Sequence, residues 1–226
     1  MDLDTIKKTI QEFFQEGTVT IVGSGLSLAE GIPGMGELAK KLRAQIPPLL
    51  AMPDDTKNWG NIESDLAKRI GSEEALHNTK PNAFVEECIR KVTAQYIGDA
   101  DMKIFADIIK TGRQLRFSEY LQQFTIRNQE MTVITTNYDR LIEYACEPNG
   151  IRADTLFTGK YIARYNPEQS KYAACIGIQK KHGKGSKLQF SPRVTVLKPH
   201  GCLSWHLING IPYSIPNYST ENSLII

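Results

Sequence analysis

The 226-residue sequence lacks the features that mark several specialised protein classes. Its four cysteines lie far apart and form no Cys-x-x-Cys pair, which argues against a zinc ribbon and favours reduced thiols in the cytoplasm. No apolar run approaches the ~20 residues that cross a bilayer, and the acidic start of the N-terminus is unlike a secretory signal. A formal net charge of +2 gives no overall bias toward nucleic acid or membrane. We therefore expect a cytoplasmic protein without a membrane partner.

The sequence does contain the elements of an ordinary globular α/β protein. Apolar residues at helical spacing from residue 3 to 14 predict a helix, and the β-branched run TVTIV that follows predicts a buried parallel strand. A glycine-rich stretch, Gly23 to Gly36, separates this strand from a second predicted helix, ELAKKLRAQI. Helix, strand, glycine loop and helix open a doubly wound unit, so we predict a Rossmann-like parallel sheet in one domain spanning residues 1–226.

The middle of the chain predicts helices, and two further strands follow it. Apolar residues recur three or four apart in several stretches between about residues 61 and 130, which predicts a helical insertion between strands. A second strand is predicted at 132–135, and a helix carrying Leu141, Ile142 and Ala145 comes next. A third strand, VTVL, precedes Lys198, whereas the last segment shows no clear closing element.

Three polar motifs directly follow these predicted strands. In open α/β sheets, ligands bind beyond the carboxyl ends of the strands, so the shared location carries more weight than any one motif. The first motif is GSGLSLAEGIPG, in which Gly23 and Gly25 would let the backbone turn tightly and approach a pyrophosphate at a helix N-terminus. Leu28 replaces the third glycine of the dinucleotide fingerprint, so a plain glycine turn stays open as the alternative.

The second and third motifs supply an amide, a carboxylate and an imidazole. TTNYD, which ends in Asn137 and Asp139, can bind a ribose, a water or a carboxamide, or can simply cap the next helix. LKPHGC places His200 at a strand end, where an imidazole can act as a general base near neutral pH or serve as a hydrogen-bonded structural residue. We expect His77 and His182 on the surface and His206 packed nearby.

Together the three motifs resemble the sirtuin superfamily. Gly23-Ser24-Gly25-x-Ser27-x-x-x-Gly31-Ile32-Pro33 is similar to the family's phosphate and nicotinamide loop, Thr135 to Asp139 to its second motif, and His200-Gly201 to its catalytic pair. Each piece is short, but their order and placement agree as a set. The resemblance implies NAD binding by this fold.

The departures from the family pattern are informative. Gly34, Met35 and Gly36 stand where protein deacylases carry Asp-Phe-Arg, and Thr136 replaces a glutamine. A helical insertion at about 61–130 takes the place of the four-cysteine zinc module. These differences resemble bacterial sirtuin-like proteins of anti-phage defence, which hydrolyse NAD and work with a HerA-type ATPase, an Argonaute-like protein or, in Thoeris-type systems, a nucleotide-sensing domain. The resemblance implies NAD as substrate, no metal, a homo-oligomer and a defence partner.

The resemblance also implies roles for individual residues. Asn137 would position the ribose or the attacking water, and His200 would accept a proton. Asp139 and Ile32 would hold the nicotinamide carboxamide. The remaining binding residues would be Gly23, Ser24, Gly25, Ser27, Gly31, Pro33 and Tyr138. The family's later Gly-x-Ser strand is not found after Trp205, so we expect a shortened member or a piece of a longer protein.

Three rival functions stay open. The domain could bind NAD or ADP-ribose as a sensor without cleaving it. It could act on DNA, for which the local support is the basic loop Lys180, Lys181, His182, Lys184 and Lys187, a pattern more typical of a solvated turn. Protein deacylation comes last, because the arginine and the zinc module are both missing.

Overall fold

A computed structural model describes residues 2–12, 17–68, 70–127, 130–180, 185–215 and 223–225. The opening elements follow the predicted order: helix α1 (Leu3–Glu12), strand β1 (Val19–Val22), helix α2 (Ser24–Glu30) and helix α3 (Met35–Gln45). The predicted burial of the first strand is wrong, because β1 is an edge strand on which Val19 is 48% and Ile21 78% exposed. The predicted glycine loop differs in one respect, because most of its first half is the two-turn helix α2. That helix ends at Gly31, whose φ of 104° lies in the left-handed region that favours glycine.

Four helices occupy residues 53–127: α4 (Pro53–Ala67), α5 (Ser72–Asn78), α6 (Ala83–Thr111) and α7 (Arg116–Arg127). Helix α6 runs without a break for 29 residues, because apolar spacing continues across Gly98 and no proline interrupts it. Helix α4 begins earlier than predicted, at Pro53, whose fixed φ suits the first helical position. No described helix has the length and apolarity of a membrane span.

The rest of the described chain is mostly strands. In order, the elements are β2 (Glu130–Thr135), α8 (Leu141–Cys146), β3 (Arg152–Asp154), β4 (Phe157–Thr158), β5 (Ala163–Tyr165), α9 (Pro167–Ser170), β6 (Cys175–Lys180), β7 (Ser186–Phe190), β8 (Arg193–Leu197), β9 (Gly201–Ile208), β10 (Ile211–Ser214) and β11 (Ser223–Ile225).

A four-stranded parallel sheet, in the order β1-β2-β8-β3, forms the centre of the fold. Ile134 pairs with Ile21 on one side and with Leu197 on the other, so three strands end almost level with one another. Every polar motif of the sequence therefore begins at the same edge. The mixed α/β architecture with a parallel sheet agrees with the Rossmann-like prediction.

The C-terminal segment corrects one expectation, because it does contain closing strands. Strands β9 and β10 form a hairpin in an antiparallel sheet of order β11-β9-β10-β5-β4. Its two-residue turn is Asn209-Gly210, and both residues have positive φ, 53° and 77°. Asn-Gly is the strongest short-range hairpin signal, but most of the first six residues of β9 are buried without alternation, so the flanking strands were not predicted.

Two hydrophobic cores support these layers. One surrounds the parallel sheet and includes the fully buried Val133, Val194 and Leu203. The other lies among helices α3 to α6 and is built around Ile46 and Ile62, both 0% exposed. Because the helices bury their own core, they form a separate wall that faces the sheet edge.

Candidate functional site

The first two motifs meet where β1 and β2 end. The Asn137 Nδ2 group donates to the Gly23 carbonyl oxygen at 2.9 Å and to the Ser27 hydroxyl oxygen at 2.6 Å. These contacts join residues more than 100 positions apart in the sequence. Both acceptors face Nδ2, so the amide has one orientation, and its Oδ1 has no hydrogen bond to another described residue.

A buried hydroxyl connects this amide to a carboxylate. Ser27 is 3% exposed and Asp139 is 4% exposed. The Ser27 hydroxyl donates to Asp139 Oδ2 at 2.5 Å, and the Leu141 N–H donates to Asp139 Oδ1 at 3.2 Å. Asp139 therefore accepts from the first backbone N–H of α8 and also holds the serine that contacts Asn137. The capping position itself is Arg140.

Lys198, at the end of β8, fixes the same loop from the other side. Its buried ammonium donates to the Asp139 carbonyl oxygen and pairs with the Glu143 carboxylate at 3.0 Å. Burial favours the neutral amine, but the Cys202 sulfur and the Glu143 and Asp139 carboxylates raise the pKa of Lys198 above its ordinary value. The lysine is thus a permanent cation that ties the end of β2 to β8.

Lys198 was not predicted as a site residue. The signal was a charged residue directly after an apolar strand, since lysine is almost never fully buried unless it is paired.

His200 follows two residues later, in a tight turn. The Gly201 N–H donates to the Lys198 carbonyl oxygen at 3.0 Å, and Gly201 has a φ of 88°. His200 is half-buried, and its imidazole makes no hydrogen bond to another described residue. Both ring nitrogens are therefore available to a ligand or a water.

The three motifs line one cavity of about 320 Å³. Of the predicted site residues, eight contribute to its wall: Ser24, Ser27, Ile32, Pro33, Asn137, Tyr138, Asp139 and His200. Gly23 contributes through its carbonyl contact with Asn137, whereas Gly25 and Gly31 do not line the cavity. Burial raises the pKa of the Tyr138 phenol, with a smaller contribution from Glu73, so this side chain stays neutral.

Helices α3, α5 and α6 form the opposite wall, which the sequence did not reveal. Its apolar members are Leu38, Leu42, Leu76, Ile89 and Ile97. Polar groups among them include Glu86, Arg90 and Thr93. No motif marks these residues, because they reach the cavity only through the packing of helices against the sheet edge. The cavity thus has a polar face with the motifs and a largely apolar face opposite.

The glycines of the first motif differ in whether the backbone conformation at their position demands glycine. Gly23 has a φ of −114°, which any residue can adopt, so the expected tight turn does not need glycine there. An added Cβ at Gly23 or Gly25 would meet nothing within 4 Å. Only close approach of a ligand would demand glycine at these two positions. Gly31, at φ 104°, is required by the backbone itself.

A buried ion pair docks the helical wall onto the site loop. Asp101, on α6, is 0% exposed and accepts from the Arg140 backbone N–H at 2.8 Å and from its guanidinium at 2.6 Å. The Tyr144 hydroxyl donates to the same carboxylate at 2.8 Å. This cluster fixes α6 against the loop that carries Asn137, although neither Asp101 nor Arg140 belongs to a recognisable motif.

The other predicted features have separate outcomes. His77 is exposed and His206 is buried, as expected, whereas His182 lies outside the described residues, with Lys181 and Lys184 of the basic loop. Lys187 of that loop is exposed on β7. Within the described part of the chain, no group of three or more His, Cys, Asp or Glu residues could hold a metal ion.

Comparison with known families gives one match. Residues 131–223 match the SIR2-like domain family. This segment contains the second and third motifs, whereas the first motif precedes it. No curated protein matches the chain. The match supports a sirtuin-like domain in the part of the chain that carries Asn137 and His200.

Proposed function

We propose that this chain hydrolyses NAD at the bond between nicotinamide and ribose, giving nicotinamide and ADP-ribose. The observation that carries the proposal is the convergence of Asn137 and His200 on one cavity at the edge of a parallel sheet. The SIR2-like match over both residues adds to it, because that family generally consists of NAD-dependent enzymes.

Asn137 suits the positioning of the attacking water. Both of its amide hydrogens are directed at Gly23 and Ser27, so the amide offers its Oδ1 as an acceptor. A water or a ribose hydroxyl that donates to Oδ1 would be held in one place. Nicotinamide is a good leaving group and needs little chemical assistance. Holding the attacking water in a fixed position therefore contributes strongly to the reaction rate.

His200 suits the proton transfer. The water oxygen bonds to the anomeric carbon, the N-glycosidic bond breaks with its electrons moving to nicotinamide, and the imidazole takes the water proton. Such a base typically contributes about 100- to 10,000-fold in rate. Ser24, Ser27, Ile32, Pro33, Tyr138 and Asp139 line the same cavity and would contact the rest of the substrate.

The test is incubation of the purified protein with NAD, followed by chromatography of the products. We expect nicotinamide and ADP-ribose from the unchanged protein, and a loss of at least about 100-fold from H200A. N137A should also lose nicotinamide release while retaining the fold. H77A is the matched control, because His77 is exposed on α5 and does not line the cavity. Equal nicotinamide release by all four proteins would refute the assigned roles.

A second candidate function is binding of NAD or ADP-ribose without cleavage. The observation favouring it is that no described carboxylate orients the His200 imidazole, whereas catalytic histidines are commonly held by a third group. Calorimetry that detects NAD binding, together with no product after long incubation, would support this sensor function over hydrolysis.

We also propose a biological setting, NAD depletion during bacterial anti-phage defence, with a homo-oligomer and a HerA-type ATPase or another defence partner. This setting rests on the sequence resemblance alone. Light scattering measures the oligomeric state, and cellular NAD measured after phage infection tests the setting. Unchanged NAD levels in infected cells that express the protein would contradict it.

A further inference from the structure

A second cavity, of about 520 Å³, lies at the opposite edge of the parallel sheet from β1. Its wall combines residues of β3, the β4–β5 turn and β10, including Arg152, Lys160 and Ser214. It shares no lining residue with the cavity that contains Asn137. A ligand bound in this second cavity would therefore contact none of the residues proposed to bind NAD there.

Arg152 carries the strongest signal in this second cavity. Its Nε is buried and has no hydrogen-bond partner, and its guanidinium makes no ion pair with the described residues. Arg152 as a whole is half-buried, but a buried N–H group without a hydrogen-bond partner is costly and therefore unusual. The guanidinium is a fixed cation whose planar fork matches the oxygens of phosphate or carboxylate.

The carboxylates nearest to this arginine are occupied by its neighbour on β8. Arg152 pairs with Arg193 in the strand register. Arg193 donates to Asp154 at 3.4 Å and to Glu130 at 2.9 Å. Two acidic side chains thus neutralise Arg193, while Arg152 beside it has neither.

The remaining wall offers more donors than acceptors. Lys160 lies at the exposed rim, next to Gly159, where the chain turns with a φ of 143°. Thr155 adds a hydroxyl, whereas the Ser191 hydroxyl donates to the Ala174 carbonyl oxygen at 3.3 Å and the Ser214 hydroxyl lies 3.5 Å from that of Ser204. The acidic member is Glu147; burial and then repulsion from Glu143 raise the pKa of its carboxyl, and a smaller attraction to Arg152 opposes that rise. The balance of charge in the cavity is positive.

We propose that this second cavity binds a small molecule through its phosphate group. The Arg152 fork would hold two phosphate oxygens, Lys160 would approach from the rim, and the Thr155 hydroxyl would donate to the remaining oxygen. Phosphate is favoured over carboxylate because it adds a third free oxygen and a second negative charge opposite two cationic side chains. The phosphate could be free or part of a sugar phosphate, and both forms are included in the test.

The test is calorimetric titration with inorganic phosphate, ribose 5-phosphate and acetate at constant ionic strength. We expect phosphate or ribose 5-phosphate to bind more tightly than acetate, and R152Q to weaken that binding by about tenfold or more. Tighter binding of ribose 5-phosphate than of phosphate would identify a sugar phosphate, and the reverse order would identify the free anion. Acetate binding as tightly as either would overturn the proposal.

Three further variants test whether the measured phosphate binding occurs in this cavity. R164Q is the matched control, because Arg164 is exposed on β5 outside the cavity wall, and it should leave the affinity unchanged. N137A should also leave the affinity unchanged, which distinguishes this cavity from the NAD site. If R152Q fails to fold, the K160Q variant tests the proposal instead, because Lys160 is exposed and its replacement should not affect folding. We expect K160Q to bind phosphate about threefold more weakly. Unchanged phosphate affinity in folded R152Q, or in K160Q where R152Q does not fold, would overturn the proposal.

Discussion

Replacing Ser27 with alanine tests the hydrogen-bond chain on which the candidate site depends. The Ser27 hydroxyl donates to Asp139 at 2.5 Å and accepts from Asn137 at 2.6 Å, in a position that is 3% exposed. S27A removes both bonds and leaves a buried carboxylate oxygen without its donor. Asn137 keeps its bond to the Gly23 carbonyl oxygen, so the amide loses one of two restraints.

The expected magnitude follows from the two bonds. A hydrogen bond to a charged group contributes about 2 kcal/mol and one between neutral groups about 1 kcal/mol, so S27A should lower the free energy of unfolding by about 3 kcal/mol. For a chain of this length, that loss lowers the melting temperature by about 6–12 °C. Since domains are stable by about 5–15 kcal/mol, the variant should still fold.

Urea unfolding of S27A, D139N and the double variant measures the interaction directly. If the serine and the aspartate are partners, the double variant should lose less stability than the sum of the single variants, by about 1.5–3 kcal/mol. S24A is the control, because Ser24 is exposed, and its change should stay within about 0.5 kcal/mol. An interaction energy near zero would show that the Ser27–Asp139 bond does not stabilise the loop.

Three other predictions concern the fold around the site. D101A should lower the free energy of unfolding by about 3–5 kcal/mol, because it leaves a mostly buried arginine without its partner; a loss below about 1 kcal/mol in urea unfolding would contradict this. G31A should lower the free energy of unfolding by about 1–3 kcal/mol, because the φ of Gly31 is 104°. G25A should raise it slightly, because Gly25 lies on helix α2 with open space at Cβ, and thermal unfolding of both variants would show whether the melting temperature shifts in these opposite directions. Maleimide should label the half-buried Cys175 before Cys202, because the Cys202 thiol is buried and that burial raises its pKa. Mass spectrometry of the native protein during labelling measures the order, and earlier labelling of Cys202 would contradict this prediction.

The sequence predicted the sheet edge well because local signals were sufficient there. Runs such as TVTIV and VTVL are too short and too β-branched for helices, and each precedes a polar motif. Parallel strands end at one edge whatever lies between them in the chain. Placing Asn137 and His200 near each other therefore needed only the strand assignments.

The hairpin of β9 and β10 shows where this approach failed. Its Asn209-Gly210 turn was a usable signal, but β9 is buried over most of its first six residues and shows no alternation. A strand covered on both faces loses the period of two that marks a half-exposed strand. The second sheet was missed for that reason.

The sequence by itself determined which residues stand at the ends of the parallel strands, because backbone propensity and short apolar runs are properties of neighbouring residues. Only the tertiary structure decided the rest: the apolar helical wall and the Lys198 and Asp101 ion pairs around the site, and the Arg152 Nε without a hydrogen-bond partner at the other edge of the sheet. Those features depend on which side chains meet across layers and on which charges are neutralised there. The Lys198 and Asp101 contacts join residues 59 and 39 positions apart, and no local pattern encodes such a distance.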